Sequence, residues 1–518
     1  TPVTRAAPIA AVPPPLHARD ELVDALERGR GGCVAIEGHG VAPTVAIPTT
    51  GLCAIHRRAS ADEQLLARTA ELATAYLASL DERAIRPEQG YAELLASLDA
   101  AVPEHGLDPL AVVDELAAVA EPGLTAMSAG RFFGFVIGGT LPAALAADWL
   151  VSTWDQNTGL AEPTPATSAL EQVAGRWVLE LLGLPPRSSF AFVTGCQMAH
   201  VTCLAAARQA VYERAGWDLS ERGLAGAPPL KVIVGGKRHV TLTRALRLLG
   251  VGRAQEVVLP VDREGRMRVE ELGAALQGDG PTIVCAQAGE VSTGAFDDLD
   301  AAADAAREAG AWLHVDGAFG LWAAASPRLA HLCAGHDRAD SWATDGHKWL
   351  NVPYDCGIAI CAHPAAHAAA MEYAAPYLAV SEREVARDPM GYSPEFSRRA
   401  RSVPVWAAIR SLGRDGVAEL VDRCCAHAAS FAEQIDRLPG CELVNDVVLN
   451  QVLFRFDDET TPAVLAAVQA SGEAWMSGTT WDGRPAIRLS VSGWRTTEAD
   501  IERTVAAFAG ALADARVG

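Results

Sequence analysis

The sequence predicts an α/β fold: a mostly parallel central sheet flanked by helices, with an N-terminal helical layer and a small α+β C-terminal domain. Three observations lead there. Between about 165 and 362, short apolar runs alternate with amphipathic stretches, the pattern of crossover units that build a parallel sheet. Ahead of that region helical spacing recurs without strands, and after about 386 helices and strands mix without strict alternation. The expected division is an arm and helical segment over 1–125, a large ligand-binding α/β domain over 126–385, and a C-terminal α+β domain over 386–518.

Residues 1 to about 60 are rich in Pro, Gly and Ala and read as an arm plus irregular structure. "SADEQLLARTAELATAYLASLDER", "GYAELLASLDA" and "LDPLAVVDELAAVAEPG" carry apolar residues at helical spacing. "SALEQVAGRWVLELLGLP" is a helix stopped by Gly and Pro. "SFAFVTG", "LKVIVGG", "PTIVCAQAG", "AWLHVDG", "SWATDG" and "CGIAICA" read as strands. "HVTCLAAARQAVYERAG" and "LDAAADAAREAG" are helices among them. The C-terminal part has helices in "VPVWAAIRSLG" and "VAELVDRCCAHAASFAEQI" and strands in "NQVLFRF" and "PAIRLSVSG", and no internal repeat is found.

A chain of 518 residues is too long for one core and predicts two or three domains. The net charge of −21 argues against nucleic acid or an anionic membrane as partner, while leaving room for a local positive pocket. Eleven scattered cysteines without a C-x-x-C pair suit reduced thiols and a cytoplasmic protein. "HLCAGH" (His331, Cys333, His336) matches no common zinc spacing, so no metal is expected. The sequence has no apolar run of membrane-spanning length, and its N-terminus lacks the layout of a secretory signal.

The polar residues of interest fall just after the predicted strands, where ligands bind in parallel sheets. "FVTGCQMAH" places Gly195 between a strand and a helix start, whose free N–H groups and dipole can seat a phosphate. "VGGKRH" is not a P-loop, because Arg238 follows Lys237. Taken singly, Asp316 reads as a helix cap, His239 as a core or surface histidine, and Lys348 in "ATDGHKWLNVPYDCG" as a solvated lysine. Together, a phosphate seat, an aromatic plate, a carboxylate and a lysine on successive strand ends are what pyridoxal 5'-phosphate requires.

Those residues also carry a resemblance. "DGHKWLNVPYDCG", "HVDGAFG", "STGAFDDL" and "TPATSALEQV" are similar to segments of the group II pyridoxal-phosphate-dependent amino acid decarboxylases, the aromatic L-amino acid and glutamate decarboxylase family of fold type I. The similarity spans roughly 125 to 510 and does not cover the first 60 residues. It implies a Schiff base on Lys348, a carboxylate at Asp316 facing the ring nitrogen, and a ring held between His239 and Ala318. Gly195, Cys196 and Gln197 would bind the phosphate, with His347 assisting. Two positions depart from the family pattern: Asp345 stands where many members have Asn, and Glu290 replaces a neutral Thr or Asn near the ring's phenolic oxygen.

The resemblance further implies a homodimer that decarboxylates an L-amino acid, an aromatic one favoured over an acidic one. Tyr392, in "ARDPMGYSPEFSRRARSVPVW", is either the proton donor to Cα or an ordinary loop aromatic. Phe132 and Phe133, with Trp481, line an apolar substrate pocket or belong to the core. Arg488 holds a substrate carboxylate or makes a strand-edge salt bridge. The same groups also serve decarboxylation with oxidative deamination to an aldehyde, or another carbon–carbon cleavage. A third reading is a non-catalytic cofactor-binding scaffold, against which the retained Lys348 argues.

Overall fold

The computed structural model describes residues 49–371 and 387–517. The chain forms two compact units, Thr1–Gln64 and Leu65–Gly518. Most of the expected N-terminal arm lies outside the described residues. Helix α1 (Thr49–Ser79) begins eleven residues earlier than expected, inside the stretch read as irregular, and α2 (Tyr91–Leu98) and α3 (Pro109–Ala120) lie where the helical spacing puts them. Asp108 caps α3 by accepting the Leu110 N–H at 3.0 Å, and Pro109 takes a first position whose N–H would lack a partner. Next come α4 (Pro142–Trp154) and α5 (Pro165–Leu181).

The central sheet has the order β1-β7-β6-β5-β4-β2-β3. Its strands are β1 (Ser189–Val193), β2 (Lys231–Gly235), β3 (Glu256–Leu259), β4 (Thr282–Gln287), β5 (Trp312–Asp316), β6 (Ser341–Asp345) and β7 (Gly357–Cys361). β2 to β6 pair in parallel, and β7 runs antiparallel between β1 and β6. β1 and β4 to β7 are buried along their whole length, as strands covered on both faces must be, which explains their unbroken apolar runs. α6 (Cys196–Arg214), α7 (Val240–Leu248) and α8 (Leu299–Glu308) supply crossovers. β3 is not among the strands read from the sequence. Its four residues are mostly half-exposed, and parallel pairing with β2 sets their place.

In the C-terminal part, α9 (Ser402–Ile435) breaks at Gly413, whose φ of 66° and ψ of −178° put it outside helical space. The two helices expected there meet at that glycine. α9, α10 (Thr460–Ser471) and α11 (Glu498–Val517) accompany an antiparallel sheet in the order β10-β11-β9-β8. Its strands are β8 (Glu442–Leu443), β9 (Gln451–Arg455), β10 (Ser477–Trp481) and β11 (Arg484–Ser490). Phe431, Phe454 and Phe508 meet at ring distances of 5.3 to 6.3 Å and fasten α9 and α11 to β9. β8 and β10 were not predicted: β8 has two residues, and β10 is a polar, half-exposed strand.

The "HLCAGH" residues do not cluster. His331 bonds the Arg328 carbonyl, Cys333 is core, and His336 bonds the Cys333 and Leu182 carbonyls. No helix among the described residues is long and apolar enough to cross a membrane.

Candidate active site

Four strand ends of the central sheet carry the chemistry. β1 leads through Gly195 into α6, β2 leads to His239 at the start of α7, β5 ends on Asp316, and β6 ends on Asp345, three residues before Lys348. No side chain caps α6, so the N–H groups of its first turn remain for a ligand. A Cβ on Gly195 would lie 3.2 Å from His347 Cε1 and 3.8 Å from Asp345 Oδ1, and one on Gly357 would meet the Gly195 backbone at 2.3 Å. The seat, His347 and Asp345 are therefore tightly packed together.

Lys348 Nζ lies 3.3 Å from Asp345 Oδ2 and 6.0 Å from the centre of the Phe319 ring. Asn351 fixes the lysine's backbone: in left-handed conformation (φ 54°), it donates from Nδ2 to the Lys348 carbonyl at 3.0 Å and to Ser492 O at 2.9 Å. His347 accepts the Cys356 N–H on Nδ1 at 3.0 Å and stacks on Tyr354 at 4.2 Å, which leaves the proton on Nε2. Burial pushes its pKa down, with Asp345 opposing. Asp345 thus serves Lys348 with one oxygen. The other is buried without a hydrogen-bond partner, 3.6 Å from His347 Nε2.

Asp316 Oδ1 accepts the Ala318 N–H at 3.2 Å, and Oδ2 lies 3.4 Å from His200 Nε2. Burial by itself would raise this carboxyl, but His200, then His239 and Lys348, hold it well below the usual carboxylate range. His239 caps α7 by accepting the Thr241 N–H on Nδ1 at 3.3 Å. Burial lowers its pKa, and the charges acting on it are Asp316, Lys348, His200 and Arg488. Asp316, His239 and Lys348 therefore converge from three strands.

The other sequence candidates separate. The Cys196 side chain turns to His200, with Sγ 3.6 Å from Nε2, and burial drives its thiol pKa well up. What Cys196 can offer an anion is its backbone N–H. Gln197 follows it in the first turn of α6. Glu290 is absorbed by its own loop, where Oε2 accepts from Ser292 N at 2.6 Å and Thr293 N at 2.8 Å. Burial pushes its carboxyl up. Arg488 donates to Val291 O at 3.3 Å, and its buried Nε has no hydrogen-bond partner.

Phe132 and Phe133 are buried, in keeping with the core reading of the two that the sequence left open. Phe132 is 2% exposed and stacks on Trp475 at 5.1 Å, and Phe133 is enclosed by the main core. The sequence offers adjacent aromatics but not their direction. Trp481 is likewise buried, beneath Lys237 Nζ at 3.9 Å. Tyr392 lies under the Arg387 guanidinium at 4.1 Å and edge-on to His367 at 5.2 Å. Phe135, which the sequence reading passed over, is 52% exposed. It and Val136 have φ of 55° and 62°, a strained backbone for non-glycine residues, most of all for a β-branched one. This strap reaches the lysine segment, since a Cβ on Gly138 would lie 2.7 Å from the Lys348 carbonyl.

His200 and His314 were also missed, although both had a positional signal. His200 lies one helical turn after Cys196, and His314 two residues before Asp316 on the same face of β5.

The residues present fit pyridoxal phosphate. They combine an uncapped helix start, an anionic carboxylate, a neutral imidazole and a lysine amine, with two buried polar atoms, Asp345 Oδ1 and Arg488 Nε, lacking hydrogen-bond partners.

Comparison with known proteins agrees. Residues 92–457, more than half of the chain, match the pyridoxal-dependent decarboxylase conserved domain. The chain is 27% identical to an aromatic-L-amino-acid decarboxylase of Bacillus atrophaeus, over 77% of this chain and 85% of that protein. It is 26% identical to a 4-hydroxyphenylacetaldehyde synthase of Rhodiola rosea, over 78% and 85%. The fold matches that of Oryza sativa TDC, solved with PLP and tryptamine, at a TM-score of 0.83 and 24% identity, covering 88% of this chain and 98% of that one. The chain belongs to the pyridoxal-dependent decarboxylase family, amino acid carboxy-lyases of fold type I that use pyridoxal 5'-phosphate.

Proposed function

We propose that this enzyme decarboxylates an aromatic L-amino acid to the corresponding amine, with Lys348 as the residue that holds the cofactor. The observation that carries the assignment is the convergence of Asp316, His239 and Lys348 beside an uncapped helix start. When bound, pyridoxal phosphate supplies an aldehyde that condenses with amines and a ring that accepts electrons. Asp316 would present an anion to the ring nitrogen, and His239 and Ala318 would hold the ring between them. The N–H groups of Cys196 and Gln197, with Gly195 and His347, receive the phosphate. Arg488, with its unpartnered Nε, receives the substrate carboxylate. Phe135, exposed and tilted against Trp475 at 5.1 Å on the strap whose Gly138 reaches the Lys348 backbone, would be the contact for the aromatic side chain.

The aromatic preference is supported by relatives named for aromatic amino acids and tryptophan, although others are named for diaminobutyrate and cysteine sulfinic acid. The domain division, 1–125, 126–385 and 386–518, stands as part of this reading. So does a homodimer, supported by apolar side chains left in water: Tyr91 (80% exposed), Leu98 and Val102 (90%) near α2, and Trp149 and Trp154 on α4. Buried cysteines without a disulfide among the described residues suit the cytoplasm.

An amino acid panel with product identification by mass spectrometry tests the assignment. Amine and carbon dioxide from an aromatic substrate, lost in Lys348→Ala, are expected; turnover that persists without Lys348 overturns it. A second reading, decarboxylation with oxidative deamination, draws on the similarity to an aldehyde synthase and on Tyr392 lying against Arg387 and His367. It consumes dioxygen and yields aldehyde, ammonia and peroxide. Aldehyde with stoichiometric peroxide and no amine selects it, and Tyr392→Phe reports whether that tyrosine delivers a proton.

A further inference from the structure

Behind Asp316 runs a chain of polar side chains that the reading above does not use. His200 Nε2 lies 3.4 Å from Asp316 Oδ2, and His200 Nδ1 lies 2.9 Å from His314 Nε2. His314 Nδ1 lies 2.9 Å from Ser341 Oγ, which also accepts the Trp312 indole N–H at 2.9 Å. All five side chains are buried. The chain crosses from α6 to β5 and β6, and His314 and Ser341 are register partners.

Proton bookkeeping fixes one end of it. A carboxylate only accepts, so an imidazole lone pair facing Asp316 would be repelled. Two arrangements satisfy every contact. In the first, Ser341 donates to His314, His314 to His200, and His200 to Asp316, with both rings neutral. In the second, His200 carries both protons and donates to Asp316 and His314. Either way His200 presents Nε2–H to Asp316. Cys196 Sγ, 3.6 Å from that nitrogen, closes the remaining side. His314 itself is held neutral, its pKa pushed down to about 3 by burial and by His200.

We propose that His200, backed by His314 and Ser341, is the positioning residue that fixes Asp316 as an oriented anion against the cofactor's ring nitrogen. The inference rests on the pairing of Asp316 with that nitrogen. Without His200, Asp316 keeps only the Ala318 N–H, and its buried charge loses the partner that holds it ionised.

The test compares wild type, His200→Phe, His200→Gln, Ser341→Ala and Asp316→Ala. Each is stripped of cofactor and titrated with pyridoxal phosphate, following affinity and the visible spectrum, with melting curves to establish folding. His200→Phe is expected to bind about tenfold to a hundredfold more weakly, the range for losing a hydrogen bond to a buried charge, with an altered spectrum. With substrate, its kcat falls more than its KM rises. His200→Gln, whose amide N–H reaches the same carboxylate, recovers most of the affinity, and Ser341→Ala shows a smaller loss of the same kind. A folded His200→Phe with wild-type affinity and spectrum, beside an Asp316→Ala that loses both, overturns the inference alone. Folded Phe and Gln variants of equal weakness do the same. If His200→Phe does not fold, wild-type binding and spectrum in Ser341→Ala overturn it. Wild-type behaviour in Asp316→Ala removes the pairing and the inference together.

Discussion

At the middle of the central sheet, Asp316, His200, His314 and Ser341 each meet a partner within 3.4 Å, while Arg488 has a single bond of 3.3 Å to a backbone carbonyl and an Nε without one. In the proposed reading the two regions serve different occupants. On the proposed cofactor side, Asp316 and the groups behind it are partnered within one chain, on strand ends and a helix held by a buried sheet, and Asp345 Oδ1 is the atom left without a hydrogen-bond partner. The proposed substrate side combines Arg488 of β11 with the strained strap, and Arg488 Nε is left without a hydrogen-bond partner. A bound ligand would complete it. Cofactor chemistry should therefore be robust and shared with relatives, while substrate choice should respond to a few exposed residues.

The comparison can be broken at several points, from the largest expected effect to the smallest. Lys348→Ala should lower kcat/KM by about a thousandfold or more, since it removes the group that forms the covalent link. Activity within tenfold of wild type would mean that the proposed cofactor side is not the reactive one. Phe132→Ala should cost about 3–5 kcal/mol of stability as a core truncation, with substrate preference unchanged, whereas Phe135→Ala should change preference with little loss of stability. Denaturant curves and the substrate panel read both, and the reverse outcome would put the pocket back at Phe132. Arg488→Met should raise KM about tenfold to a hundredfold through the lost charged contact, with cofactor affinity unchanged. Loss of cofactor binding in that variant would merge the two sides.

The smallest effect concerns pH. His314 and His367 are buried and held neutral down to about 3, so below the ordinary histidine pKa the unfolded chain takes up protons that the folded one refuses. The folded pKa is depressed, so stability is full at neutral pH and declines as pH falls. Asp297, raised to about 6 by burial, acts in the opposite sense and offsets part of this. Stability should fall by about 2 kcal/mol between pH 6.5 and 5, measured by denaturant titration. A curve that is flat or rises over that window would contradict the buried neutral histidines.

Much of this was legible in the sequence because burial on both faces writes strands as continuous apolar runs. β1, β2, β4, β5, β6 and β7 could be read that way, whereas β3 owes its place to pairing and β10 is half polar. Lys348, Asp316 and His239 were legible because each follows such a run. The direction of a side chain was not. Phe132 and Phe133 turn into the core, Cys196 turns to His200, and Glu290 caps its own turn. Those outcomes depend on neighbours hundreds of residues away or on local turns that periodicity does not encode. Asp345, an acid beside a phosphate seat, makes sense only once Lys348 is seen 3.3 Å from it.

The most direct test of the account is to load the purified protein with pyridoxal phosphate, reduce it with borohydride and map the labelled peptide. A visible absorbance band and a pyridoxyl group on Lys348 alone are the predicted result. A colourless protein, or a label on any other lysine, would contradict it.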